Sequence, residues 1–189
     1  GGRASMILVT GGAGFIGSQI SARLMKEKTR VTILTRNVSA PRAVALAKQG
    51  CKVVACDLGD AHRIPRQDML DPADAMFHFA ADVSVSSPTL RAANVDGTSR
   101  ALALADALAI PYVVYASSIE AQGLGAESEI PLREDMACCP VSDYGQSKVQ
   151  AEALIAEWGS LPGRRSLVLR IGNTYGPGSA WFLHPSLLA

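Results

Sequence analysis

Aromatic residues make up only 5% of this 189-residue chain, and no charge of one sign is in excess, since 18 Lys and Arg face 17 Asp and Glu. That balance excludes a surface built for nucleic acid or anionic lipid, both of which need clustered basic residues. No apolar run approaches the ~20 residues of a membrane-spanning helix. The apolar stretch MILVT, residues 6–10, is too short for a secretory signal and runs straight into glycines. Histidine is scarce: His62, His78 and His184 are scattered and form no cluster with cysteine, so no metal site is expected. Cys51, Cys56, Cys138 and Cys139 form no C-x-x-C pair, and the adjacency of the last two makes a mutual disulfide awkward. Reduced structural thiols in a cytoplasmic protein are the expectation.

What is present is apolar sequence in short, regularly spaced pieces. Hydrophobic residues reach 48%, enough for the full core of one large domain. Residues 1–5 read as an expression scar or frayed tail, with Met6 as the natural start. Strands are predicted at residues 6–10, 30–34, 52–55, 75–79, 112–116 and 166–170, from short runs of apolar residues. Helices are predicted at residues 14–28, 41–49, 88–108 and 144–158, the second with Pro41 in its first turn and Gly50 at its stop. Alternation of strand and helix forces parallel pairing through right-handed crossovers. The predicted fold class is therefore α/β, a doubly wound parallel sheet of Rossmann type with helices on both faces. No repeat, linker or low-complexity segment interrupts it, and the long polar loop 122–140 reads as a substrate-side loop.

Gly11, Gly14 and Gly17 follow the first predicted strand and open the first helix with G-x-x-G-x-x-G spacing. The first permits a tight turn, the second a close approach to a pyrophosphate, and the third tight packing of helix on strand. The helix start, where Phe15 and Ile16 stand, offers free N–H groups and the positive end of a dipole to phosphate. This placement points to a dinucleotide. Its kind is read at the end of the second strand, where an acid would hold the adenosine ribose hydroxyls. Here the strand ends Leu34-Thr35-Arg36-Asn37, with no acid. Arg36 suits a ribose 2′-phosphate, which makes NADP the preferred cofactor and NAD the alternative; a solvated arginine, or one stacked on the adenine, are the competing readings. Asp57, with Leu58, is placed to flank the adenine, or else to cap a turn.

Tyr144 and Lys148 lie four residues apart on a predicted helix and share one face. A phenol is a weak base at neutral pH, and lowering its pKa by about three units takes ~4 kcal/mol of preferential phenolate stabilisation. An ammonium one turn away, with an oxidised nicotinamide, can provide it. Ser118 follows the fifth strand, at the carboxyl edge where α/β ligands bind, and its hydroxyl can orient a substrate oxygen.

With these motifs the chain resembles the short-chain dehydrogenase/reductase superfamily, in its extended branch of NAD(P)-dependent epimerases, dehydratases and reductases. The resemblance rests on TGGAGFIG (10–17), the Asp57-Leu58 pair, HFAA (78–81), NVDGT (94–98), SSIEAQG (117–123), YGQSK (144–148) and RIGNTYGPG (170–178). It implies Tyr144 as general acid/base, Lys148 as the group that lowers its pKa and holds the nicotinamide ribose, and Ser118 as the ligand of the substrate oxygen. It also implies cofactor contacts from the glycine loop, Asp57, Leu58, Ala80, Ala81, Ser117 and the segment after Arg170 that includes Asn173. Asn94 falls in the motif that shapes the helix beneath the site. The expected activity is hydride transfer between the nicotinamide and a secondary alcohol or ketone carbon of a small molecule, a nucleotide-sugar being the first choice. A ketoreductase or hydroxysteroid-dehydrogenase-like enzyme is the alternative, and a non-catalytic NAD(P)-binding sensor the reading from another class. A homodimer through helices 88–108 and 144–158 is implied as well.

Three departures from the family's pattern stand out. The family usually carries a smaller C-terminal substrate domain, so residues 6–178 are read as the dinucleotide-binding domain, residues 179–189 as the start of a substrate-binding segment, and the rest as missing. Ala121-Gln122-Gly123 stands where the family has V-Y-G. Ile119-Glu120 stands where sugar-nucleotide 4,6-dehydratases have an acidic pair, which disfavours that reaction.

Overall fold

A computed structural model describes residues 4–84, 87–123 and 131–179. Residues 1–3 of the expected tail, the middle of loop 122–140, and all but the first residue of the expected substrate-binding segment, with His184, lie outside the described residues.

Six strands form one parallel sheet: β1 (Met6–Thr10), β2 (Arg30–Thr35), β3 (Lys52–Ala55), β4 (Ala75–His78), β5 (Tyr112–Ser118) and β6 (Arg165–Ile171). Their order is β3-β2-β1-β4-β5-β6, so the chain steps outward one way from β1 and the other way from β4. In such sheets the ligand crevice opens where the order reverses, here between the carboxyl ends of β1 and β4. The register aligns Leu34, Thr10, His78, Tyr115 and Val168 in one row across five strands.

Both faces of the sheet are covered, which is why the inner strands read as unbroken apolar runs; all five residues of β1 are buried. Helices α1 (Phe15–Lys26) and α2 (Pro41–Lys48) lie on one face. There α2 packs Ala43 and Leu46 against Val9, Val31 and Ile33, while Leu24 and Met25 of α1 flank the same cluster. Helices α3 (Gly97–Ala107) and α5 (Asp143–Gly159) lie on the other. There Ala101, Leu104, Ala151 and Ile155 meet Leu8, Met76, Val113 and Tyr115. Full burial of side chains such as Val9 and Ile33 contributes about 1.5–3 kcal/mol each.

Three local features differ from the sequence-based expectation. The predicted helix 88–108 is interrupted by a π-helical turn, Ala92–Asp96, before α3 begins. The reason is side-chain competition. The Thr98 hydroxyl takes the Asn94 carbonyl at 2.6 Å, while the Asn94 side chain leaves the helix to bond the Asp82 backbone. Strand β5 runs two residues further than expected because Ser117 and Ser118 pair with Arg170 and Ile171 of β6. A short α4 (Ile119–Gln122) then follows, capped by the Ser118 hydroxyl, which accepts the Glu120 N–H at 3.2 Å. The start of α5 is fixed by Ser142, whose hydroxyl accepts the Gly145 N–H at 2.9 Å. None of the described helices is long and apolar enough to cross a membrane.

Gly17 sits where α1 meets the loop from β1, and a Cβ there would lie 2.4 Å from the Gly11 carbonyl oxygen. Gly17→Ala is therefore expected to destabilise the fold by about 1–3 kcal/mol, read as a lower urea midpoint with an unchanged slope. A midpoint equal to the parent's would show that the helix can retreat without cost.

Candidate active site

The crevice at the β1–β4 boundary has a volume of about 300 Å³. Gly11 and Gly14 form one wall, Arg36 and Asp57 stand at the ends of β2 and β3, and Ala80 and Ala81 close it beyond β4. Gly11 has φ +64°, and a Cβ there would be 2.6 Å from the Ala80 nitrogen. Only glycine satisfies both the turn and the approach. Gly14 caps α1 without a side-chain hydrogen bond, so the first turn, with Phe15 and Ile16, presents backbone N–H groups that a helix leaves unpaired. The backbone, not a charged side chain, is thus the anion-binding element, and the cradle fits a pyrophosphate.

The opposite wall, at the ends of β2 and β3, carries the charged side chains. Arg36 is exposed at the crevice wall, next to Thr35, whose hydroxyl accepts the Asn37 N–H at 3.3 Å and so belongs to the turn. Burial pushes the Asp82 carboxyl up, but hydrogen bonds from Ser87, Ser84 and Thr89, with the Arg36 charge, bring it below the usual carboxylate range. Asp57 lines the crevice and also shapes a turn: one carboxylate oxygen accepts the Gly59 N–H at 3.1 Å, and the other lies 3.4 Å from Arg63. Leu58 is buried beside it. Residues not anticipated from sequence complete the wall, notably Cys56, Phe79 and Ala93. Their types carry no chemical signal, and only the fold brings them there.

Ser118, at the end of β5, and Tyr144, in the first turn of α5, are brought together, near enough for the serine hydroxyl to bear on the phenol's proton affinity. Burial pushes the Tyr144 phenol above its ordinary value, the Ser118 hydroxyl pulls it down, and Glu120 pushes it up again. The downward shift expected from Lys148 is not found: the phenol is raised overall, with burial the largest cause and Ser118 the group that lowers it. Lys148 is itself buried, its Nζ donating to the Ala116 carbonyl at 2.9 Å. That nitrogen lies 4.8 Å from the Tyr115 ring centroid and 5.7 Å from that of Tyr144. Burial lowers the Lys148 pKa to about 8, against the opposing pull of Glu152.

The other expected residues stand further off. Asn94 is buried behind the site, its amide donating to Ser147 at 3.0 Å. The Ser117 hydroxyl donates to Glu152 rather than lining the crevice. Asn173 is exposed beyond the end of β6 and is not part of the crevice wall. Glu152 itself was not anticipated from sequence: it pairs with Arg170 at 2.8 Å, one turn of helix from Lys148. Arg170 also donates to Gln122 and, at 3.0 Å, to the Cys138 sulfur. Among the described residues, no His, Cys, Asp and Glu side chains group in a way that could hold a metal ion.

The model of the NAD dependent epimerase/dehydratase family matches residues 7–185. The chain belongs to that family. Among its curated members, the UDP-glucose 4-epimerase of Azospirillum brasilense is 31% identical over 179 residues, which cover 92% of this chain and 50% of that protein. The chain thus spans about half the length of the curated relatives it matches. The UDP-glucose 4-epimerase from Brucella ovis, solved in complex with NAD, superposes with a TM-score of 0.75 at 28% identity, over 88% of this chain and 51% of that one. The terminal R domain from the myxalamid PKS-NRPS biosynthetic pathway superposes with a TM-score of 0.77 at 30% identity, over 90% and 49%. For an epimerase/dehydratase family member, the parallel sheet, glycine crevice and Tyr144–Lys148 helix form one coherent frame.

The buried Lys148 has a stability consequence with a definite sign. Its folded pKa of about 8 lies below the ordinary lysine value of 10.5. Below pH 8 the folded state bears the full cost of the buried charge, ~3 kcal/mol. Between about pH 8 and pH 10.5 the unfolded chain holds a proton that the folded chain has lost, so stability rises with pH. Lys148→Met removes that cost, and the variant is expected to melt above the parent at pH 7, with the gap closing by pH 10.5. Thermal melts at both pH values check this; a gap that widened with pH would contradict it.

Proposed function

We propose that this chain binds NAD(P) in the crevice and presents the reacting edge of an enzyme that interconverts a secondary alcohol and a ketone on a nucleotide-sugar. Residues 6–178 act as the dinucleotide-binding domain, and residues 179–189 begin a substrate-binding segment. The observation that carries the reading is the convergence of Ser118, Tyr144 and Lys148 at the sheet edge that also carries the glycine crevice. The epimerase relatives support the substrate class.

Gly11, Gly14 and the first turn of α1 would hold the pyrophosphate. When bound, the nicotinamide supplies the hydride acceptor and donor at carbon. In the oxidative direction Tyr144 takes the hydroxyl proton of the substrate, and in the reductive direction it returns that proton to the carbonyl oxygen. Ser118 would hydrogen-bond the same oxygen and hold it toward the phenol. Lys148 favours the phenolate by its charge, and excluding water around it strengthens that effect. Restoring the hydrogen on the opposite face of the carbon gives epimerisation.

A second reading, net reduction of a small ketone, is favoured by the absence of an acid after β2, which leaves room for the phosphorylated cofactor. The two separate in one assay of the complete protein. An epimerase converts UDP-galactose to UDP-glucose without consuming reduced cofactor, whereas a reductase consumes one equivalent per product.

Two outcomes follow for this site. Tyr144→Phe should keep cofactor affinity and lose about 10²–10⁴-fold in turnover; a variant as active as the parent would remove Tyr144 from the role of acid/base. Arg36 should set a preference for the 2′-phosphorylated cofactor, a charge-assisted contact corresponding to roughly 10–150-fold in affinity. Arg36→Ala should weaken the phosphorylated cofactor and barely change the other. Dissociation constants for both, at one salt concentration, decide it, and a parent that binds NAD more tightly would overturn it.

A further inference from the structure

A buried histidine lies outside the machinery just described. We propose that His78 is the positioning residue of the Tyr144–Lys148 pair, setting both from the α3 side of the sheet through one neutral imidazole. The inference rests on the reading of that pair given above.

The directions of the hydrogen bonds fix the tautomer. The Thr98 hydroxyl lies 2.6 Å from the Asn94 carbonyl and must donate its one proton there. It can therefore only accept from the His78 Nε2, 3.0 Å away, which places the ring proton on Nε2. Nδ1 is then an acceptor and takes the Thr10 hydroxyl proton at 2.6 Å, while that hydroxyl accepts the Ala80 N–H at 3.2 Å. Every donor in this run has an acceptor, and the run starts in the wall of the crevice. The groups that face the ring bear on its charge. Burial and the Lys148 ammonium hold the imidazole pKa down to about 3, and the neighbouring Tyr115 phenol is pushed upward by burial and stays neutral.

Two arms lead from the ring to the pair. Along the first, Thr98 pins the Asn94 carbonyl inside the π-turn, which aims the Asn94 amide at Ser147, at 3.0 Å. Ser147 in turn donates to the Tyr144 carbonyl at 2.7 Å. The Asn94 side chain also accepts the Asp82 N–H at 2.7 Å, which ties the same turn to the crevice mouth. Along the second, the imidazole stacks on Tyr115 with centroids 5.4 Å apart, and the Lys148 ammonium lies 4.8 Å from the centroid of the same ring. His78 forms no part of the crevice wall. From its position the imidazole reaches both the turn behind Tyr144 and the ring beside Lys148.

The first test needs no change at His78. The ¹⁵N spectrum of the imidazoles is recorded in the complete protein between about pH 5 and 8, the His78 signals being assigned through their proximity to the Tyr115 ring. The expected result is a proton on Nε2, none on Nδ1, and no titration. A proton on Nδ1, or a midpoint inside that window, overturns the inference. The second compares Thr98→Val with Thr98→Ser, using UDP-galactose as substrate. Thr98→Val should speed exchange of the Asp82 amide and lower kcat about tenfold or more with KM nearly unchanged, and Thr98→Ser should restore both. Loss of stability with parent-like kcat in the folded protein would mark a purely structural bond and overturn the inference. If Tyr144→Phe is inactive while Thr98→Val turns over normally, only this inference falls; if Tyr144→Phe is fully active, the reading of the site falls with it.

Discussion

The molecule depends on one close approach of backbone to backbone. The loop leaving β1 lies against the chain leaving β4, so tightly that a Cβ on Gly11 would be 2.7 Å from the Phe79 carbonyl carbon. These strands are neighbours in the sheet, yet the chain departs from them in opposite directions along it. A space must open where the two exits part, and the contact at Gly11 decides how narrow its floor is. The Ala80 N–H on the Thr10 hydroxyl fastens that floor on the side where the order reverses. The glycine wall of the crevice and the chain leaving β4 are therefore fastened to one another.

Charge around Lys148 is arranged as an alternating series. Lys148 is sequestered under the sheet edge, Glu152 lies one turn along the same helix, and Arg170 grips Glu152 with a two-pronged contact from β6. An ammonium alone in such a place would shed its proton. The carboxylate opposes that, and the guanidinium keeps the carboxylate from claiming Lys148 as a direct partner. Ser117 adds a hydroxyl to the same carboxylate. The lysine is thus left with a backbone carbonyl and two aromatic rings, a setting that holds a cation without quenching it.

Much of this was legible in the residues alone. The strands of the inner sheet announce themselves as apolar runs, and the glycine spacing locates the crevice at the first of them. Ser118, Tyr144 and Lys148 could be paired because a strand end and one helical turn fix their relation. What escaped was whatever depends on distant parts of the chain meeting. Nothing around Glu152 foretells Arg170, and nothing in a helical pattern over residues 88–108 foretells a π-turn, since the groups that open it belong to Asp82 and Thr98. Ser117 and Ser118 look alike in sequence, but alternation along β5 sends their hydroxyls to different partners. The upward pull on the Tyr144 phenol was also illegible, because burial is a property of the fold and not of the residue.

The π-turn at Ala92–Asp96 carries a further consequence for how this stretch of chain can vary. A π-turn holds about one residue more than the α-helical turn it replaces, and each residue of an α-helix turns the chain by about 100°. Deleting one residue there would restore a regular helix while the segments before and after kept their facing, because the wider turn takes up the extra residue within one revolution. Leu90 on the early side and Leu104 on the late side could both stay buried. What the deletion would remove is the widened turn that lets the Asn94 side chain reach the Asp82 backbone and Ser147. A change in length by one residue can thus spare the apolar packing of this segment and still take away the polar tie that it carries.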